Sequence, residues 1–150
     1  MNAHVASLQL HEAKCAPLRA VGEVEGTVGG GLVGDSHETR PRRGVLVVDR
    51  TTLEAYGLAA GDLREQITIE GFGDVTALPE GARLRIGGIT LRVNGPCEPC
   101  THIGEMLAVE DREAFRQSLV GRRGALCTVA AADGPARIGD RVEVEQPVSA

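Results

Sequence analysis

Two cysteines stand at CxxC spacing in "NGPCEPCTHIGE", residues 94–105. Cys97 and Cys100 each follow a proline, Pro96 and Pro99, and His102 lies two positions past the second thiol. A thiolate is a nucleophile and a soft metal ligand, and nearby positive charge makes it easier to form. A second thiol three residues away can resolve a sulfenate or a persulfide. Redox pairs use this spacing at the start of a helix inside a βαβ unit, but here the flanking pattern reads as hairpin and then turn. Structural zinc normally takes two such pairs, and only His102, Cys127 and distant His37 are available to complete one. Haem attachment requires histidine directly after the second cysteine, where Thr101 stands. The bland reading is a pair of small buried hydrophobes. Against it, Gly-Pro-Cys-Glu-Pro-Cys is a turn composition, and turns lie at the surface.

Two further stretches carry chemistry. "GTVGGGLVGDSHETRPRRG", residues 26–44, combines six glycines with Asp35, Ser36, His37, Arg40, Arg42 and Arg43. It lacks the Gly-Lys-Ser/Thr ending of a phosphate-binding loop, and no helical pattern follows it as in a dinucleotide site. It reads equally as an anion site, with exposed backbone N–H groups and bidentate arginines, or as a flexible solvated loop. "SLVGRRGALCTV", residues 118–129, sets Arg122 and Arg123 between two glycines where a helix gives way to a strand. Its simplest reading is a solvated basic turn. Cys127 falls among apolar neighbours and reads as core, and Cys15, with only His11 nearby, as incidental.

The bulk properties narrow the partners. With 150 residues, 42% of them hydrophobic, the chain suits one domain with its own core. Aromatics are 2% and the formal net charge is -5, which argues against nucleic acid. Lys14 is the sole lysine, so covalent pyridoxal phosphate is not expected on this chain. The N-terminus has no basic-then-apolar leader pattern, and the longest apolar run, "GVLVV", is too short to span a bilayer. These features predict a cytoplasmic protein with reduced thiols and no membrane partner.

The elements that must position these groups are short. Residues 5–10, 21–28, 44–49 and 66–72 read as strands. "RLRIGGITLRV" reads as a hairpin turning at Gly87-Gly88, its second strand running into the CxxC segment. A second hairpin is predicted between 125–131 and 140–146, turning near Asp133-Gly134. Helices are predicted at 51–58, with a Thr51/Glu54 capping box, and at 110–121, stopped by Gly121. Many short strands and two or three short helices predict a mainly β fold, a closed or partly open barrel.

Taken in order, "GLVGDSH…RPRRGVLVVDR", "AAGDLREQITIEGF", "LRIGGITLRVNGPCEPC" and the Gly-Arg-Arg-Gly segment resemble the MOSC domain, the C-terminal domain of molybdenum-cofactor sulfurases. The resemblance implies a MOSC-type β-barrel over the whole chain. It places the hallmark cysteine at Cys100, with Cys97 as an accompanying thiol. It places the Gly-Asp-x-His motif at Gly34, Asp35 and His37, and the basic turn at Arg122 and Arg123. Arg40, Arg43, Glu65 and His102 join the implied cofactor-binding set. "GDSHET" and "EQIT" depart from the more usual Gly-Asp-Arg-His-Ala-Gly and Glu-Asn-Leu-Thr. The implied function is a molybdenum-cofactor (molybdopterin) binding or sulfur-carrier module using the Cys100 thiol. The sulfur would come from a cysteine desulfurase or another donor, and Cys100 could itself ligate molybdenum. The alternative is a molybdenum-cofactor-dependent reductase component for N-hydroxylated compounds, which needs a redox partner.

Overall fold

The computed structural model describes residues 3–13, 16–99 and 101–145. Lys14, Cys15 and Cys100 lie outside the described residues.

The strands are β1 (His4–His11), β2 (Leu18–Val21), β3 (Glu23–Val24), β4 (Val45–Asp49), β5 (Ile67–Glu70), β6 (Arg83–Ile86), β7 (Ile89–Pro96), β8 (Ala125–Ala132), β9 (Ala136–Arg137) and β10 (Val142–Glu145). The helices are α1 (Arg50–Ala55), α2 (Thr101–Met106) and α3 (Arg112–Leu119), with a 3-10 turn at Val75–Ala77. Eight strands form one sheet in the order β10-β6-β7-β8-β4-β5-β1-β2. All of its pairs are antiparallel except β4–β5. β3 and β9 form a separate small ribbon. The fold is therefore mainly β, as expected, and the sheet is open: β2 and β10 share no ladder, and one isolated bridge, His4 to Arg141, links β1 to the start of β10.

β4 shows why the sheet holds. All five residues of Val45–Asp49 are buried. Successive side chains of a strand point to opposite faces. Val45 and Val47 enter one apolar cluster with Leu8, Ile67, Leu91 and Val129. Leu46 and Val48 enter a second with Leu53, Leu63, Ile103 and Leu119, under the helices. A strand covered on both faces reads as an unbroken apolar run, which is what "VLVV" is.

The β6–β7 hairpin forms as predicted, with Ile86 paired to Ile89 across a two-residue turn. Of the two turn residues Gly87 alone takes positive φ, at 56°. Gly88 is needed for space, since a Cβ there would lie 2.4 Å from the carbonyl carbon of Gly134.

Four expectations are corrected. The second hairpin does not form: β8 has β7 and β4 on its two edges, so β10 pairs with β6 instead. Residues 21–28 are not one strand, because the chain breaks at Gly22 between β2 and β3. α1 begins one residue early, and its N-cap is Asp49, whose carboxylate accepts from the Thr51 amide, in place of the Thr51/Glu54 box. The segment after the CxxC is a helix and not a turn. A Cβ on Gly104 would sit 2.9 Å from a Val109 methyl and 3.3 Å from the Arg112 Cα. Glycine lets α2 close against α3.

Candidate functional site

The glycine-rich loop is a packed structure and not a flexible solvated one. A Cβ on Gly31 would lie 2.5 Å from the Gly44 carbonyl oxygen, and one on Gly30 would overlap the Glu38 carbonyl. The amides of Gly29, Gly30 and Gly31 donate to Val129, Thr27 and Glu38 carbonyls, and Gly34 donates to the Glu38 carboxylate. Those N–H groups are engaged within the protein, so these four are not free to form a nest of backbone donors for an anion. Gly34 itself takes φ of 85°. What the loop does is turn Asp35 inward.

Asp35 is the hub of a buried polar corner. One carboxylate oxygen accepts from the backbone amide of His11 at 2.7 Å, and the other from that of His37 at 2.8 Å. The His11 and His37 rings approach the same two oxygens at 3.2 and 3.3 Å. Gln66 donates to Asp35 at 3.2 Å while its own oxygen accepts from the Leu46 amide at 2.7 Å, tying the loop to β4. Burial alone would raise the Asp35 pKa, but the donors from His11 and His37, ring and backbone, outweigh it and hold the carboxyl far below its usual range.

Above this corner opens a cleft of about 250 Å³. β1 contributes His11, and the glycine loop contributes His37 and Arg43. Arg64 and Gln66 line it ahead of β5, and Cys97, His102, Ile103 and Met106 line it from the CxxC segment and α2. Arg123 and Leu126 complete the wall. The fold thus joins parts of all three sequence constellations in one cavity. Arg123 Nη2 donates to the Leu63 carbonyl at 3.4 Å, while its Nε is buried without a hydrogen-bond partner among the described residues.

Not every candidate reaches the cleft. Arg40 is exposed and does not line it. Arg122, beside Arg123, points elsewhere and lies over the Tyr56 ring at 5.8 Å. Glu65 is fully buried behind the cleft, accepting from the Gly61 amide and the Thr68 hydroxyl. Burial pushes its pKa up against those bonds. Cys97 is only 2% exposed and packs with the second apolar cluster, which corrects the surface placement expected from its turn composition. The prolines and glycines around it bend the chain, while its amide is held by the Gly124 carbonyl at 2.9 Å. Cys127 is core, as expected, with its thiol pushed up to about 12 by burial.

Sequence reading did not select His11, Arg64, Gln66 or Met106 for the site. The one available signal was "EQIT": its glutamate was selected, but the neighbouring Gln66 is the residue that reaches Asp35. His11 ends a strand and carries no local motif.

A MOSC domain family model matches residues 37–143, well over half of the chain. The protein belongs to the MOSC family. The match starts at His37, so His11 and Asp35 precede it. Among solved structures, the YuaD protein from Bacillus subtilis superposes with a TM-score of 0.82 at 23% identity, covering 96% of both chains. YiiM from Escherichia coli gives 0.70 at 21% identity, covering all of this chain and 72% of that one. YiiM from Geobacillus stearothermophilus gives 0.71 at 16% identity, covering 96% and 75%. Such identities establish a shared fold. No curated protein sequence matches the chain.

Proposed function

We propose that the cleft binds the phosphate-bearing end of a molybdenum cofactor and that Cys100 serves it as a sulfur carrier. The observation that carries this reading is the convergence of His37 and Arg43, Cys97 and His102, and Arg123 on one cavity.

The residues fit such a group. Three guanidiniums, Arg43, Arg64 and Arg123, line a cavity whose acid, Asp35, is turned away into hydrogen bonds. Guanidinium groups bind phosphate bidentately. A volume of about 250 Å³ is at the small end for ligand pockets and suits one end of a larger molecule. When bound, the cofactor supplies a thiophilic metal centre for which a cysteine thiolate is the matching ligand class.

The chain's own part is binding and sulfur handling. Arg43 and Arg123 hold the anionic end. His37, fixed by Asp35, faces the cavity. Cys100 directly precedes α2, whose His102 and Ile103 line the cleft. In the transfer step, the Cys100 thiolate attacks the terminal sulfur of a persulfide on the donor enzyme. A new S–S bond forms at Cys100, the donor's S–S bond breaks, and the donor thiolate leaves. No external oxidant is consumed.

The test is intact-mass analysis after incubation with a cysteine desulfurase and cysteine. The wild type should gain the mass of one sulfur atom, reversible by a thiol reductant, and Cys100→Ala should gain none. An unmodified wild type, or equal labelling of the variant, contradicts the carrier role.

A further inference from the structure

We propose that His11, Asp35 and His37 form a binding site for one borderline divalent transition cation, with zinc as the type, at the floor of the cleft. The site uses none of the thiol chemistry proposed for Cys100 and stands independently of it.

The donor set comes first. One ligand atom from each of the three side chains lies within 4.8 Å of the others. Two imidazoles and one carboxylate with open positions form a recurrent transition-metal triad. Both histidines line the cavity, so an ion held by them keeps a face open to it.

The distances admit an ion as well as hydrogen bonds. The ring Nδ1 atoms of His11 and His37 lie 3.2 and 3.3 Å from the Asp35 oxygens. A charge-assisted N–H···O bond closes to about 2.7–2.9 Å. The backbone amides of the same two residues do reach those oxygens, at 2.7 and 2.8 Å, so nothing keeps donors at a distance. Separations near 3.3 Å are also what two ligands show when each is about 2.0–2.1 Å from a tetrahedral ion. The two rings are neighbours, with centroids 4.9 Å apart and planes tilted by 59°.

Charge supplies a third, separate reason. The Asp35 side chain is 0% exposed, and its ion-pair partners among the described residues are the two histidines alone. A buried anion is normally paired with a cation or bound to a metal. The loop and the strand also hold the triad without the ion: the Ser36 amide donates to the His11 carbonyl at 2.7 Å, and Gln66 braces the carboxylate. Ligating carboxylates are commonly supported by such outer hydrogen bonds.

The full chain, stripped with a chelator, should be titrated with Zn²⁺ by calorimetry and with Co²⁺ by visible absorption. One ion per chain is expected. Zn²⁺ affinity should fall at least about a hundredfold in His11→Ala and His37→Ala, since losing even a ligand's supporting partner costs about 10- to 100-fold. Cys97→Ala and Cys100→Ala should bind as the wild type does. His37 is 29% exposed, so its variant is the one least able to harm folding. Zn²⁺ should therefore raise the melting temperature of the wild type and leave that of His37→Ala unmoved. Absence of saturable binding overturns the site. So does binding that survives in His37→Ala or disappears in the cysteine variants.

Discussion

Asp35 and Glu65 are both carboxylates sealed from solvent, yet the fold treats them in opposite ways. Asp35 receives two backbone amides, two histidine rings and Gln66, and its pKa is driven down. Glu65 receives the Gly61 amide and the Thr68 hydroxyl on one oxygen, and its other oxygen has no hydrogen-bond partner among the described residues. Burial then prevails and its pKa rises. At Asp35 the donors outweigh the cost of burial, and at Glu65 they do not. The region around Asp35 is a polar corner opening on the cleft. The region around Glu65 is a structural clasp between the turn at Gly61 and β5.

The contrast can be broken most forcefully by removing each acid. Asp35→Leu should cost about 3–5 kcal/mol in urea unfolding, because it strips acceptors from buried donors. Glu65→Leu should cost distinctly less. Equal losses would erase the distinction. Next in size, Gly31→Ala should cost about 1–3 kcal/mol by forcing the loop off Gly44. A neutral result would mean that the loop does not hold Asp35 by close packing.

A smaller effect separates the two acids by pH. Because the folded pKa of Glu65 is raised, its stabilising contribution is complete below the unfolded value and is lost as pH rises through the folded one. Glu65→Gln has no such term, so its stability relative to wild type should improve as pH rises from acid towards neutral, read by thermal melts across that range. A constant difference would place an ordinary carboxylate at Glu65. The smallest effect concerns sulfur. With its thiol near 12, Cys127 should resist iodoacetamide in the folded protein at neutral pH and react only on unfolding.

The parts of the fold legible in sequence were those set by local periodicity. "VLVV" could only be a strand covered on both faces, and Gly87-Gly88 fixed a hairpin with the register Ile86 to Ile89. The failures were long-range choices. Nothing near residue 142 says that β10 crosses to β6, because that depends on both edges of β8 being taken. The turn reading after the CxxC missed α2, whose packing depends on α3, which comes later in the chain. At the site, the thiols and arginines announced themselves by type. His11 did not, since its meaning comes from a loop some twenty residues on that brings Asp35 beneath it. Arg122 and Arg123 were indistinguishable as letters, and the turn between α3 and β8 sends one to Tyr56 and the other to the cleft.

That divergence offers the most direct test of whether three separate segments build one binding cavity. Molybdenum and pterin content should be measured in the protein purified from cells that make the cofactor, beside Arg122→Ala and Arg123→Ala. Wild type and Arg122→Ala should retain cofactor alike, and Arg123→Ala should lose most of it, since a hydrogen bond to a charged group contributes about 1.5–3 kcal/mol. Cofactor missing from the wild type, or held equally by all three proteins, would contradict the assignment of the cleft.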